Sequence, residues 1–133
     1  MKKDNKGFSL VELIIVIAIM AVLVGVLAPQ FIKYVEQSRR SRDIATANEI
    51  REAILADIAD NQITASNGSF TPVAGNPTNL AETPTAAATA AGGAGFTASF
   101  DVTAGTCEVQ VSGGTLWLTQ AADASTYKTA SGI

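Results

Sequence analysis

Glu12 is the residue whose type and setting most demand chemistry. It is the only charged side chain between Phe8 and Ile32, and an ionised group inside hydrocarbon costs about 2.5–3.5 kcal/mol on insertion scales, so it calls for a partner. The candidate counter-ions nearby in sequence are Lys2, Lys3 and Lys6, together with the amine that a cut between Gly7 and Phe8 would create. The chemistry on offer is charge pairing. With no His and one Cys, His-based acid–base catalysis and an intrachain disulfide are excluded. The Ser and Thr hydroxyls lack a base, and no Gly-rich phosphate loop follows a strand. The carboxylates nearest the C-terminus, Asp101, Glu108 and Asp123, are not spaced as a calcium loop. No enzyme activity, cofactor or metal site is predicted.

The element that must position Glu12 is the apolar run itself, since about 20 such residues suffice for a helix to cross a bilayer. A conventional secretory signal would place its cleavage site at Val26-Leu27-Ala28, which leaves Pro29 as the first mature residue behind an apolar stretch too long for that class. A plain membrane anchor explains the length but neither Glu12 nor the Gly7-Phe8-Ser9 junction. The octapeptide Lys6-Gly7-Phe8-Ser9-Leu10-Val11-Glu12-Leu13, behind a short basic leader and ahead of the apolar run, resembles the class III signal and N-terminal helix of type IV pilins and pseudopilins. The resemblance covers the first third of the chain. It implies cleavage after Gly7 by a prepilin peptidase on the cytoplasmic side, N-methylation of Phe8, and Glu12 as the assembly residue that meets the terminal amine of a neighbouring subunit. Such pairing suits the physics, because removing one partner of a desolvated ion pair is far costlier than keeping both.

Length and charge bound the remainder. In 133 residues, with the first 30 or so assigned to membrane or filament, only a modest core is available. Removing the leader, three Lys against one Asp, takes the formal net charge from −3 to about −5, which argues against general nucleic-acid binding. Lys33, Arg39, Arg40 and Arg42 follow the span and compete with the leader lysines, so charge alone does not set the topology. The resemblance places the leader in the cytoplasm.

The expected organisation is a leader at 1–7, a transmembrane and assembly helix at 8–32, and its amphipathic continuation at 33–61. An exposed loop at 62–95 and an antiparallel sheet with a C-terminal tail at 96–133 complete it. The fold class is α+β, a long N-terminal helix with a small sheet on its second half. Gly25 and Pro29 mark the weak point of the helix, since Pro29 cannot bond the Gly25 carbonyl; the resemblance suggests local unwinding there in a filament. Ile44, Ala47, Ile50, Ile54 and Ile58, widened by Leu55, form the apolar stripe. The charges of 33–60 read as a solvated face, with Glu36–Arg40 and Arg39–Asp43 at helical pairing distance. Because cations precede acids along the helix, staggered copies could set one block against the other.

The stretch after the helix is rich in Ala, Thr, Gly and Pro and reads as a surface loop with one possible helical turn at 86–91. Asn67-Gly68-Ser69 matches an N-linked sequon, and the hydroxyls suggest O-glycosylation. Three strands are predicted, at 96–103, 107–111 and 116–118, joined by Ala104-Gly105 and Gly113-Gly114. Residues 120–133 would add a fourth short strand or a tail. Cys107 lies on the apolar side of its strand as a small buried hydrophobe. Many pilins close this region with a disulfide, which this chain cannot form internally.

The function implied is that of a structural pilin: a single-pass precursor in the cytoplasmic membrane that becomes a homo-oligomeric helical filament at the cell surface. The partners implied are membrane lipid before assembly, the prepilin peptidase and methyltransferase, and an assembly ATPase with inner-membrane platform proteins. The alternatives are a pseudopilin of a type II secretion or competence system, and a non-polymerising membrane-anchored protein.

Overall fold

The structure is a computed structural model that describes residues 7–63 and 66–130. Its elements are α1 (Leu10–Ala59), β1 (Asn67–Phe70), a 3-10 turn (Thr89–Ala91), β2 (Phe96–Asp101), β3 (Thr106–Val111) and α2 (Ala121–Thr129). This is the expected α+β class. The chain divides into one unit ending at Tyr34 and another beginning at Val35. The leader residues 1–6, positions 64 and 65 of the expected loop, and 131–133 of the expected tail lie outside the described residues.

In the first unit every side chain from Gly7 to Tyr34 is exposed. A helix apolar all round with nothing packed on it is built for lipid or for other helices. It is long and apolar enough to cross a membrane. The helical run includes both Gly25 and Pro29.

In the second unit, α1 buries Glu36, Arg40, Asp43, Ala47, Ile50, Ile54 and Asp57, a stripe in alternating steps of four and three that keeps to one helix face. Ala47, Ile50 and Ile54 form its apolar centre, with Ile44, Leu55 and Ile58 packed at the margins. The helix ends as a Schellman cap: the Gln62 amide donates to the Asp57 carbonyl at 2.9 Å and the Asn61 amide to Ile58 at 3.2 Å. Asn61 holds the left-handed turn at φ 56°, one of the few non-glycine residues that tolerates it.

The sheet is antiparallel in the order β1-β2-β3. Phe96, Ala98 and Phe100 oppose Val111, Val109 and Cys107 on the inner face, and with Ala47, Ile50, Ile54 and Leu118 they form one core. Thr97, Ser99 and Asp101 oppose Gln110, Glu108 and Thr106 on the outer face, the alternation expected of a sheet wet on one side. The predicted turn closes β2 to β3 with Gly105 at φ 68° and the Asp101 carboxylate accepting from the Ala104 amide at 3.0 Å.

Three secondary-structure expectations are corrected. The third strand is β1, Asn67–Phe70, from within the stretch read as loop. Its apolar signal is one residue, and it is held by pairing with β2 and by Phe70 meeting Phe100 edge-on at 5.9 Å. Residues 116–118 contribute a single bridge, Gln110 to Trp117, because the Trp117 amide is taken by Asp123 at 2.9 Å. Residues 121–129 form a helix, not a strand or tail, with Asp123 in its first turn and Lys128 in its last, both favourable to the macrodipole.

The charged ends of the stripe overturn the reading of that face as solvated. They hold the irregular stretch between β1 and β2, whose backbone amides have few ladder partners. Asp43 accepts from the Ala87 amide at 2.5 Å, the Ala88 amide at 3.1 Å and the Tyr127 hydroxyl at 2.6 Å. Glu36 accepts from the Thr89 amide at 2.9 Å and hydroxyl at 2.7 Å, and Asp57 from the Thr78 amide at 2.7 Å. Arg40 pairs with Glu36 through Nε at 3.5 Å, an ion pair with no hydrogen bond at that nitrogen. Its Nη1 donates to the Tyr127 and Ala130 carbonyls, and its guanidinium lies 5.4 Å from the Tyr127 ring. The expected Arg39–Asp43 pairing gives way to Arg39 with Glu36 at 3.9 Å and with the Thr89 hydroxyl.

A pH dependence follows. Burial raises the Cys107 thiol to about 11, with Arg51 opposing and Glu108 adding to the shift. Burial and the bond to Asp43 raise the Tyr127 phenol well above its usual range. Both groups hold their protons longer when folded, so their contribution is complete below the unfolded values, about 8.5 and 10, and is lost as pH rises through the folded ones. The urea midpoint of the full chain in detergent is expected to fall between pH 9 and 11. Tyr127→Phe should flatten the part of that fall above pH 10.

Candidate functional site

The first unit begins with Gly7, Phe8 and Ser9 outside regular structure, and helix α1 starts at Leu10. The Ser9 hydroxyl accepts from the Glu12 amide at 3.2 Å, and Glu12 Oε2 accepts from the Ser9 amide at 3.0 Å. This reciprocal arrangement is a capping box: Ser9 is the N-cap, Glu12 is the third helical residue, and two otherwise orphaned donors are satisfied. The carboxylate also lies at the positive end of the helix dipole. The sequence reading found the acid and missed this use of it, although Ser-x-x-Glu ahead of an apolar run is the recognised signal.

The cap leaves capacity for chemistry. A carboxylate offers about four lone-pair sites on two oxygens, and Oε1 of Glu12 has no donor among the described residues. Phe8 is 83 % exposed, and a Cβ added at Gly7 would meet nothing within 4 Å. The lysines proposed as counter-ions lie outside the described residues. Gly25 is equally uncrowded, so neither glycine is needed for packing within this chain.

The remaining sequence candidates do not converge. Asn67 and Ser69 of the sequon are exposed on β1. The outer sheet face carries a shallow groove lined by Ser69, Ser99, Asp101 and Glu108, with no base or nucleophile pair. Among the described residues no group of three or more His, Cys, Asp or Glu side chains could hold a metal ion.

Comparison with known proteins supplies a family for this N-terminal geometry. Residues 2–28 match the prokaryotic N-terminal methylation motif. The chain is 37% identical over 62 residues to a type IV major fimbrial protein FimA of Dichelobacter nodosus, covering 47% of this chain and 40% of that protein. It is 36% identical over 66 residues to a probable minor fimbrial protein of the same organism, covering 50% and 42%. The chain thus spans less than half the length of these relatives, and no solved structure matches it. With the methylation motif leading into an exposed apolar helix, the N-terminal half of the chain is similar to type IV fimbrial proteins.

Proposed function

We propose that this chain is the structural subunit of a type IV pilus, made as a membrane-anchored precursor with its leader in the cytoplasm and assembled as a homopolymer at the cell surface. The observation that carries the reading is the capped Glu12 at the head of a helix exposed and apolar all round, inside the methylation motif. A prepilin peptidase cuts after Gly7, and the exposed Phe8 becomes the N-methylated terminus. The room around Gly7 supports this, because the demand for glycine then comes from the enzyme that receives it and not from the fold. Glu12 keeps its cap through Oε2 and takes the Phe8 ammonium of a neighbouring copy on Oε1. The segment from Gly25 to Pro29 unwinds locally as copies leave the membrane for the filament, driven by an assembly ATPase and its platform. The boundaries 1–7, 8–32, 33–61, 62–95 and 96–133 are proposed as the working divisions.

The relatives named as fimbrial proteins favour a pilus over the secretion or competence pseudopilus. The test is to shear cells that express the chain and ask whether surface fibres contain it. Fibres labelled along their length support the pilin, while confinement to the envelope contradicts it. Gly7→Leu is expected to leave all of the protein at precursor mass. Normal processing of that variant would remove Gly7 from the cleavage site.

A further inference from the structure

Lys33 and Tyr34 close the apolar run at the C-terminal end of the first unit. Both are exposed, Tyr34 at 65% with Phe31 nearby at 69%, and neither side chain makes a hydrogen bond, ion pair or ring contact with any described residue. Phe31 and Tyr34 stand three residues apart and share a helix face. A ring with a polar tip suits the headgroup level, where Tyr is enriched in membrane helices. Lys lays its apolar stem along hydrocarbon and keeps its ammonium in water. The distance back to Glu12 gives this pair its consequence. From Glu12 to Lys33 the helix rises about 32 Å, which is about 30 Å along the bilayer normal at a tilt of about 20°. The hydrocarbon core is itself about 30 Å thick.

We propose that Lys33 and Tyr34 anchor the precursor in the outer headgroup layer, the ammonium against a lipid phosphate, and thereby hold Glu12 at the inner edge of the hydrocarbon instead of within it. There Oε1 of Glu12 keeps water while Oε2 caps the Ser9 amide. The Gly7–Phe8 junction, which lies outside regular structure, falls beyond that edge on the cytoplasmic side, in reach of an aqueous enzyme face. The carboxylate loses its water only when the helix rises out of this register, and the ammonium of a neighbouring copy replaces it at that step. The charge is thus cheap in the waiting precursor, since the insertion cost applies to the middle of a span and not to its boundary, and it demands a counter-ion only during assembly. The proposal rests on the membrane-anchored reading given above and adds the depth of the helix to it.

The test is labelling of the full-length chain by a membrane-impermeant maleimide, in inside-out vesicles from cells that lack a prepilin peptidase. Single cysteines are placed by Leu10→Cys and Val16→Cys, on either side of Glu12. Cys107 is buried, and the parent chain gives its background. Leu10→Cys is expected to react as an aqueous thiol, and Val16→Cys at least about tenfold more slowly, because it lies about 6 Å beyond Glu12 toward the bilayer centre. Adding K33E/Y34A removes the anchor and should shrink that difference about threefold or more, since interfacial anchors set how a span sits in the bilayer. K33R/Y34W should preserve it. Protection of Leu10→Cys would put Glu12 inside the hydrocarbon and overturn the proposal. So would a pattern indifferent to K33E/Y34A, or fast reaction at both positions in a chain that membranes retain through an alkaline carbonate wash. Release of the unmutated chain by that wash overturns the membrane-anchored reading as well.

Discussion

Glu12→Gln is expected to leave the chain inserted in the membrane with its helix start intact, while the polymer in the surface fraction falls at least about a hundredfold. The capping box accepts Gln as readily as Glu at its third helical position, so the Ser9 amide keeps an acceptor. What disappears is the charge. The ammonium of the neighbouring copy is then left unpaired in an apolar setting, a loss of about 3–5 kcal/mol where every 1.4 kcal/mol is tenfold. Glu12→Ala removes cap and charge together and should be no worse for the polymer. Filaments from the Gln variant at wild-type abundance would show that Glu12 serves only its own helix.

Asp43→Ala is expected to destabilise the second unit by about 3–5 kcal/mol, the range for leaving buried groups uncompensated. It removes the acceptor for two amides and a phenol at once, those of Ala87, Ala88 and Tyr127, in a position only 1% exposed. It also takes a negative charge away from the Arg40 cluster. The measurement is urea unfolding of the full chain in detergent, followed by the fluorescence of Trp117. A change under 1 kcal/mol would mean that the loop and α2 are held by other contacts. Membrane insertion and the Glu12 cap should be unaffected, which separates this variant from Glu12→Gln.

Much of the architecture was legible because it is periodic. The three- and four-residue steps of Ala47, Ile50 and Ile54 find the core face of α1, and the alternation from Phe96 to Val111 finds two of the three strands with their inner faces. β1 was hidden because Asn67-Gly68-Ser69-Phe70 has almost no apolar pattern of its own, and its strand comes from the partner it pairs with. The charged half of the stripe was overlooked for a different reason. Glu36, Arg40, Asp43 and Asp57 continue the same spacing as the buried isoleucines, but charge is ordinarily read as solvated, and only the amides of distant loop residues reveal why these are not. Helix α2 was signalled weakly by Asp123 and Lys128 at its two ends. At the N-terminus the acid, the junction and the apolar run were all visible. The capping role of Glu12 was equally visible and went unread, because the demand for a counter-ion pointed outside the chain.

The central claim is that this chain is cut after Gly7 and carried to the surface. Intact mass and N-terminal sequencing of the protein in material sheared from expressing cells, with the envelope fraction in parallel, test it most directly. The account predicts a sheared chain that begins at Phe8 and carries one methyl group on its terminal amine. A chain that still begins at Met1 would contradict it.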